Sequence, residues 1–276
     1  MRGIAATYDT REGFNMSEST APLSPEAILT VRRLCKGFTL HALGGRVVES
    51  LRGISLTLHA GEHVALAGAS GAGKSSLLRC LIRNYLPDDG RVVLHNAAGD
   101  VELTTLDDRS MARLRGRDVG YVSQFLNAGP RTSPMQHVLA AARRRLITGQ
   151  RALDAAAEAL SGLGIDQPLW DVDCSVLSGG ERQRVNLAAG VVSPPRLLLL
   201  DEPVSALDPR NREKALVTIE RLAEQGVSVL AVYHDMRVIQ RVASRVIVLA
   251  DGRVIDEGNP HTVLEKHHSA FEEAAA

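Results

Sequence analysis

The sequence predicts an α/β fold with a largely parallel sheet covered on both faces and a helical block inserted into it. Three observations carry that expectation. Apolar runs of strand length, among them "HVALAG", "RLLLLDEP", "VSVLAVY" and "RVIVLADG", alternate with helix-patterned segments. The first of these runs is followed at once by a glycine-rich loop that opens a helix. From about Pro134 to Gly190 the texture changes, and every segment carries helical spacing.

In chain order, residues 1 to 27 are rich in Ser, Thr, Pro and charge without periodicity, and are expected to be a disordered extension. Within it Met1 and Met16 are alternative starts. Strands follow in "AILTVRRL" and in "ISLTLHAGEHVALAG", the second broken by a turn at Ala60–Gly61. "GKSSLLRCLIRNYL" is expected to be a helix with Leu77, Leu78, Leu81 and Ile82 on one face, ended by "PDDG". Two strands bracket "HNAAGD", and "VGYVSQF" is a further buried strand.

The inserted block, about 126–190, holds "MQHVLAAARRRLI", "RALDAAAEALSGLGI" and "GGERQRVNLAAGVV". In the second of these, Leu153, Ala157, Leu160 and Leu163 form an apolar stripe. Arg143–Arg145 is expected to be a solvated helix face. After "RLLLLDEP" come a helix through Arg212–Gln225, the strand "VSVLAVYHD", another helix and "RVIVLADG". Residues 261–276 form a C-terminal tail in which His267 and His268 are expected to be solvated.

Composition narrows the function classes. Of 276 residues, 45% are hydrophobic and 23% charged, an ordinary globular balance. Lys plus Arg and Asp plus Glu both number 32, so net charge gives no reason to expect nucleic acid or an anionic membrane surface as partner. No apolar run approaches the ~18–20 residues a membrane-spanning helix needs, and the N-terminus "MRGIAATYDTREGF" lacks a signal peptide's apolar centre. Cys35, Cys80 and Cys174 are far apart, which favours reduced, packed thiols over a metal or disulfide framework.

"GASGAGKSS", Gly68 to Ser76, matches G-x-x-x-x-G-K-[ST] between a strand and a helix. Gly68, Ala69, Ser70, Gly71, Ala72 and Gly73 would curl so that successive N–H groups meet phosphate oxygens, with the helix N-terminus adding its dipole. Lys74 would reach the β- and γ-phosphates, the Ser75 hydroxyl is placed to ligate Mg²⁺, and Ser76 completes the loop. "RLLLLDEP" ends a strand in two carboxylates: Asp201, suited to hold Mg²⁺ through water, and Glu202, suited to act as general base. Together these features specify a nucleoside triphosphate, ATP or a relative, with Mg²⁺.

"VLSGGERQR" supplies a second set of exposed N–H donors at a helix start. One γ-phosphate does not need two cradles, so Ser178, Gly179 and Gly180 are expected to cap a nucleotide held by a second subunit. With Phe38, "GASGAGKS", Gln124, "LSGGERQ", "LLLLDEP", "SALD" and His234 in order, the chain resembles the ATP-binding cassette (ABC) ATPases over about residues 28 to 260. The resemblance implies a P-loop NTPase fold of ABC type, with a mixed sheet and an inserted helical subdomain. It also implies that Phe38 stacks on adenine, that Ser205 to Asp208 lie at the interface between two cassettes, and that His234 senses the γ-phosphate. Gln124 would approach Mg²⁺ and the attacking water. The second cassette is either an identical copy or a sister chain.

Within that family "RNYLPDDGRVVL", "YVSQFLNAGPR", "PLWDVDCSVLSGGERQRVNLAAG" and "VYHD" resemble the L-type subunit of the bacterial phosphonate carbon–phosphorus lyase system. That resemblance implies a cytoplasmic ATPase that works with soluble lyase subunits, supporting formation of ribose 1-methylphosphonate 5-triphosphate from methylphosphonate and ATP. The alternative is an ATPase subunit of an importer or lipoprotein-release transporter, whose partner is a membrane permease. No nucleic acid partner is expected, since the chain has one cassette and no long coiled-coil insertion.

Overall fold

A computed structural model describes residues 26–40 and 45–267. One sheet starts from a long antiparallel pair, β1 (Ala27–Leu40) and β2 (Arg46–His59). Strand β1 also pairs with β4 (Asp89–Leu94), and β4 with the short β5 (Val101–Glu102), giving the order β2-β1-β4-β5. The β1–β2 ladder shifts register near Arg33, a non-glycine residue at φ 49°, as expected where a bulge adds a residue and bends a strand.

The second sheet has the order β10-β9-β3-β8-β7-β6. Its strands are β3 (His63–Ala67), β6 (Val119–Val122), β7 (Leu197–Asp201), β8 (Ser228–Val232), β9 (Arg245–Ala250) and β10 (Arg253–Gly258). Five of these run parallel, and β10 pairs antiparallel with β9, so the sheet is mixed.

The parallel strands are buried on both faces, and their two-residue period divides the core. Ala65, Leu198, Leu200, Val229, Ala231 and Val248 join one apolar cluster with the inserted helices. Their neighbours Val64, Leu66, Leu197, Leu199, Leu230 and Ile247 join the other, between α1 (Lys74–Leu81) and the antiparallel sheet. The leucine run "LLLL" therefore carries no alternation in sequence because both of its faces are covered.

Helix α2 (Asp108–Arg117) precedes β6. The inserted block is α3 (Pro134–Arg144), α4 (Gly149–Gly162) and α5 (Gly179–Val191). Helices α3 and α5 each start in a capping box, Ser133 with Gln136 and Ser178 with Glu181. Helix α6 (Pro209–Glu224) connects β7 to β8, α7 (Met236–Val242) connects β8 to β9, and α8 (Pro260–Lys266) follows β10.

Several expectations need correction. The first helix stops at Leu81 rather than running to "NYL": Ile82 caps it, and Arg83 turns the chain at φ 59°. The stripe on α4 is rotated by one residue. Ala152, Ala156, Leu160 and Leu163 are buried, whereas Leu153 is 43% exposed. The small alanines let α4 approach α3 and α5, and leucine content misplaced the buried face. Arg145 is not a solvated residue. It folds inward, its Nη1 donating to the carbonyls of Ala189 and Gly190. His267 is likewise paired, its Nε2 lying 2.9 Å from Asp256 Oδ2. Residues 261–266 are helical with Val263 and Leu264 buried, so the tail boundary drawn at 260 falls at the start of α8. The extension over 1–25 and His268 lie outside the described residues.

Candidate nucleotide site

The loop between β3 and α1 takes its shape from glycine at two positions above all. At Gly68 (φ 135°) an added Cβ would lie 2.1 Å from the Leu249 carbonyl oxygen on β9, and at Gly73 (φ 103°) 2.4 Å from that of Ser50 on β2. No other residue fits against those carbonyls. Gly73 also begins α1 without a side-chain cap, leaving the first-turn N–H groups to an anion.

Lys74 is 6% exposed. Its Nζ donates to the carbonyls of Gly68 at 2.7 Å and Ala69 at 2.8 Å, so the ammonium is held over its own loop. Burial lowers the Lys74 pKa, while Glu202 and Asp201 act against that shift. Ala69, Ser70 and Gly71 are exposed, Ala72 is buried, and Ser76 pairs with Ser50 through their hydroxyls at 2.8 Å.

Strand β7 delivers the acidic pair to the same end of the sheet. The Ser75 hydroxyl donates to Asp201 Oδ1 at 2.8 Å, joining the two residues expected to hold Mg²⁺. Among the described residues no group of three or more His, Cys, Asp or Glu side chains could hold a metal alone. One hydroxyl beside one carboxylate does suit Mg²⁺, which keeps several waters and takes substrate phosphate oxygens.

Glu202 leaves the strand at φ 54°, a left-handed conformation that is strained for a glutamate and turns its side chain out of the sheet. Its Oε1 lies 2.6 Å from His234 Nε2, and its Oε2 accepts from Gln124 Nε2 at 3.1 Å. The hydrogen bond from His234, aided by Lys74, holds the Glu202 carboxyl below the usual range. The site therefore has a carboxylate at neutral pH, as a base requires. Gln124 contacts this carboxylate through its nitrogen rather than reaching Asp201 or Ser75.

The other sequence candidates lie elsewhere. Ser178 and Gly179 are exposed at the start of α5, where Ser178 Oγ accepts from Glu181 N, and Gly180 lies against the Ala206 carbonyl. Among the described residues, no hydrogen bond connects 178–180 to the loop at 68–76. Asp208 caps α6, accepting from the N–H groups of Arg210 and Asn211. Phe38 is half-buried on β1 and packs edge-to-face on Tyr85, with ring centroids 5.1 Å apart.

Two residues escaped the sequence reading. Gln183, 3% exposed on α5, donates from Nε2 to the Glu202 carbonyl at 2.5 Å and accepts from Ala206 N at 3.0 Å. It ties the start of α5 to the segment after the acidic pair. Tyr121 on β6 donates its hydroxyl to Asp201 Oδ2 at 3.0 Å. The only signal for either was a polar group inside an apolar or helical run.

Comparison with known proteins finds relatives in sequence and in fold. The family model described as "ABC transporter" matches residues 51–205. The glutamate/glutamine/aspartate/asparagine transport ATP-binding protein BztD of Rhodobacter capsulatus is 36% identical over 220 residues, 79% of this chain and 81% of that protein. The histidine/lysine/arginine/ornithine transport ATP-binding protein HisP of Escherichia coli is 34% identical over 225 residues, 78% and 86% of the two chains. Among solved structures, a dimeric ATP-binding cassette in a post-hydrolysis state bound to ADP and Pi superposes with a TM-score of 0.77 at 27% identity, covering 84% of this chain and 98% of that one.

Proposed function

Because the chain belongs to the ABC transporter ATPase family, whose cassettes bind ATP with Mg²⁺ and hydrolyse it as part of a complex, we propose that it is the ATP-binding subunit of an importer for a small polar solute of the amino-acid class. The observation that carries this reading is identity of 34–36% to transport ATP-binding proteins over more than three quarters of both chains. Among the described residues no helix is long and apolar enough to cross a membrane; in this reading the partner is a membrane permease.

In this reading the loop at 68–76 and Lys74 hold the phosphates, and Ser75 with Asp201 holds Mg²⁺, which supplies charge neutralisation at the phosphates. Glu202 accepts the proton of the attacking water, His234 fixes Glu202 and senses the γ-phosphate, and Gln124 reports the state of Glu202 to the inserted helices. Ser178, Gly179 and Gly180 cap the nucleotide of a second cassette, Asp208 lies beside that interface, and Phe38 stacks on adenine.

A second reading, the L-type subunit of the phosphonate lyase system, is favoured by one feature. Residues from three of the stretches that resemble that subunit, among them Asn84, Tyr121, Asn127 and Asn186, line one pocket of about 410 Å³ together with Arg79 and Arg145. Affinity purification from native cells decides between the two. Recovery from the membrane fraction with a permease supports the importer, and recovery in a soluble complex with lyase subunits overturns it.

A further inference from the structure

Asp201 is 1% exposed, and both of its carboxylate oxygens are engaged by side chains of this chain. Oδ1 accepts from Ser75 at 2.8 Å, while Oδ2 accepts from the Tyr121 hydroxyl at 3.0 Å. Strands β6 and β7 are parallel neighbours with Tyr121 opposite Leu199, so the long ring reaches along the sheet to the carboxylate at the strand end. A phenylalanine there would fill the same space and offer no donor.

The hydroxyl is itself braced. Arg79, on α1, interacts electrostatically with Tyr121 and donates from Nη1 to the Tyr85 hydroxyl at 2.8 Å. The Arg79 guanidinium carbon also lies 5.5 Å from the Tyr85 ring centroid.

The geometry assigns Tyr121 as a positioning residue that fixes the Asp201 carboxylate, leaving Oδ1 turned to Ser75 and to the cation. It rests on the reading that Ser75 and Asp201 hold Mg²⁺. Ligating carboxylates are oriented by outer hydrogen bonds, and losing such a bond typically costs about 10–100-fold in metal affinity. Arg79 on α1 thus adds to the orientation that Tyr121 on β6 sets.

The test measures binding of the non-hydrolysable analogue AMP-PNP to the full chain with and without Mg²⁺, in wild type, Tyr121→Phe, Arg79→Leu and Asp201→Asn. For Tyr121→Phe the strengthening of AMP-PNP binding by Mg²⁺ should fall by about tenfold, with Mg²⁺-free affinity unchanged and thermal unfolding lowered only by the few degrees that one lost buried hydrogen bond costs. Arg79→Leu should give a smaller loss of the same kind, which keeps the test alive if Tyr121→Phe folds poorly. An unchanged Mg²⁺ effect in both variants, with Asp201→Asn losing it, overturns the role of Tyr121 alone. An unchanged effect in Asp201→Asn as well overturns the Mg²⁺ assignment beneath it.

Discussion

His234 Nε2 lies 2.6 Å from Glu202 Oε1, joining the ends of the neighbouring parallel strands β8 and β7. The contact puts a histidine on a carboxylate that Lys74 also holds ionised, so Glu202 is the group equipped to accept a proton. Glu202→Gln keeps the shape and loses the base. Turnover should fall by ~10²–10⁴, while ATP binding persists and a nucleotide-sandwiched dimer accumulates on gel filtration. Hydrolysis within about threefold of wild type, far short of a lost general base, would refute the assignment.

Ser178 is exposed and engages Glu181 of its own helix rather than the loop at 68–76. Ser178→Arg should therefore block closure over a second cassette's nucleotide and abolish cooperative turnover. Loss of the cap costs about 1 kcal/mol of stability, and ATP affinity of the single chain stays close to wild type. A large loss of that affinity, measured by titration calorimetry, would mean that Ser178 serves its own subunit's nucleotide.

The parallel strands and the phosphate loop were legible because each depends on a local pattern: apolar runs ended by Gly or Asp-Glu, and glycine at fixed offsets. Helix α2 was not, because half of "DRSMARLRGR" is charged and it buries little beyond Met111 and Leu114. Helix α8 did carry a signal, Asn259 as cap followed by Pro260, hidden in what looked like a polar tail. Tyr121 and Gln183 were invisible for a different reason: their partners, Asp201 and the Glu202 carbonyl, are brought near only by the sheet and by the packing of α5.

The rotated stripe on α4 separates leucine content from burial. Leu160 is fully buried and Leu153 is 43% exposed, two positions the sequence treats alike. Leu160→Ala should cost ~2–5 kcal/mol and Leu153→Lys within about 0.5 kcal/mol, by urea denaturation. Equal effects at the two sites would place the buried face where leucine content had put it.

The glycines of the phosphate loop differ in what they tolerate. At Gly71 (φ 79°) nothing lies within 4 Å of an added Cβ, so Gly71→Ala meets only backbone strain, about 1–2 kcal/mol. At Gly68 the same methyl would collide with the carbonyl of Leu249, a residue held in the β9–β10 ladder opposite Val254. Gly68→Ala should cost roughly 3 kcal/mol or more. Equilibrium unfolding of the nucleotide-free chain checks the order, and a Gly68→Ala variant as stable as Gly71→Ala would show that β9 yields.

His63 opens β3 at 2% exposure, its Nε2 3.2 Å from the Tyr233 hydroxyl, and burial pushes its pKa down to about 4. An unfolded histidine titrates near 6.5. Above that pH both states are neutral at this position and it adds no slope. As pH falls toward about 4 the unfolded chain takes up a proton that the native chain refuses, so stability is lost across that window and levels off below it. The loss approaches ~1.4 kcal/mol per pH unit. His63→Asn removes the titration, and other acid-sensitive groups act equally in both chains. Between pH 6.5 and pH 5 the variant should therefore lose about 1.6 kcal/mol less than wild type in urea unfolding. Parallel stability curves for the two proteins would mean that native His63 accepts its proton as readily as the unfolded chain does.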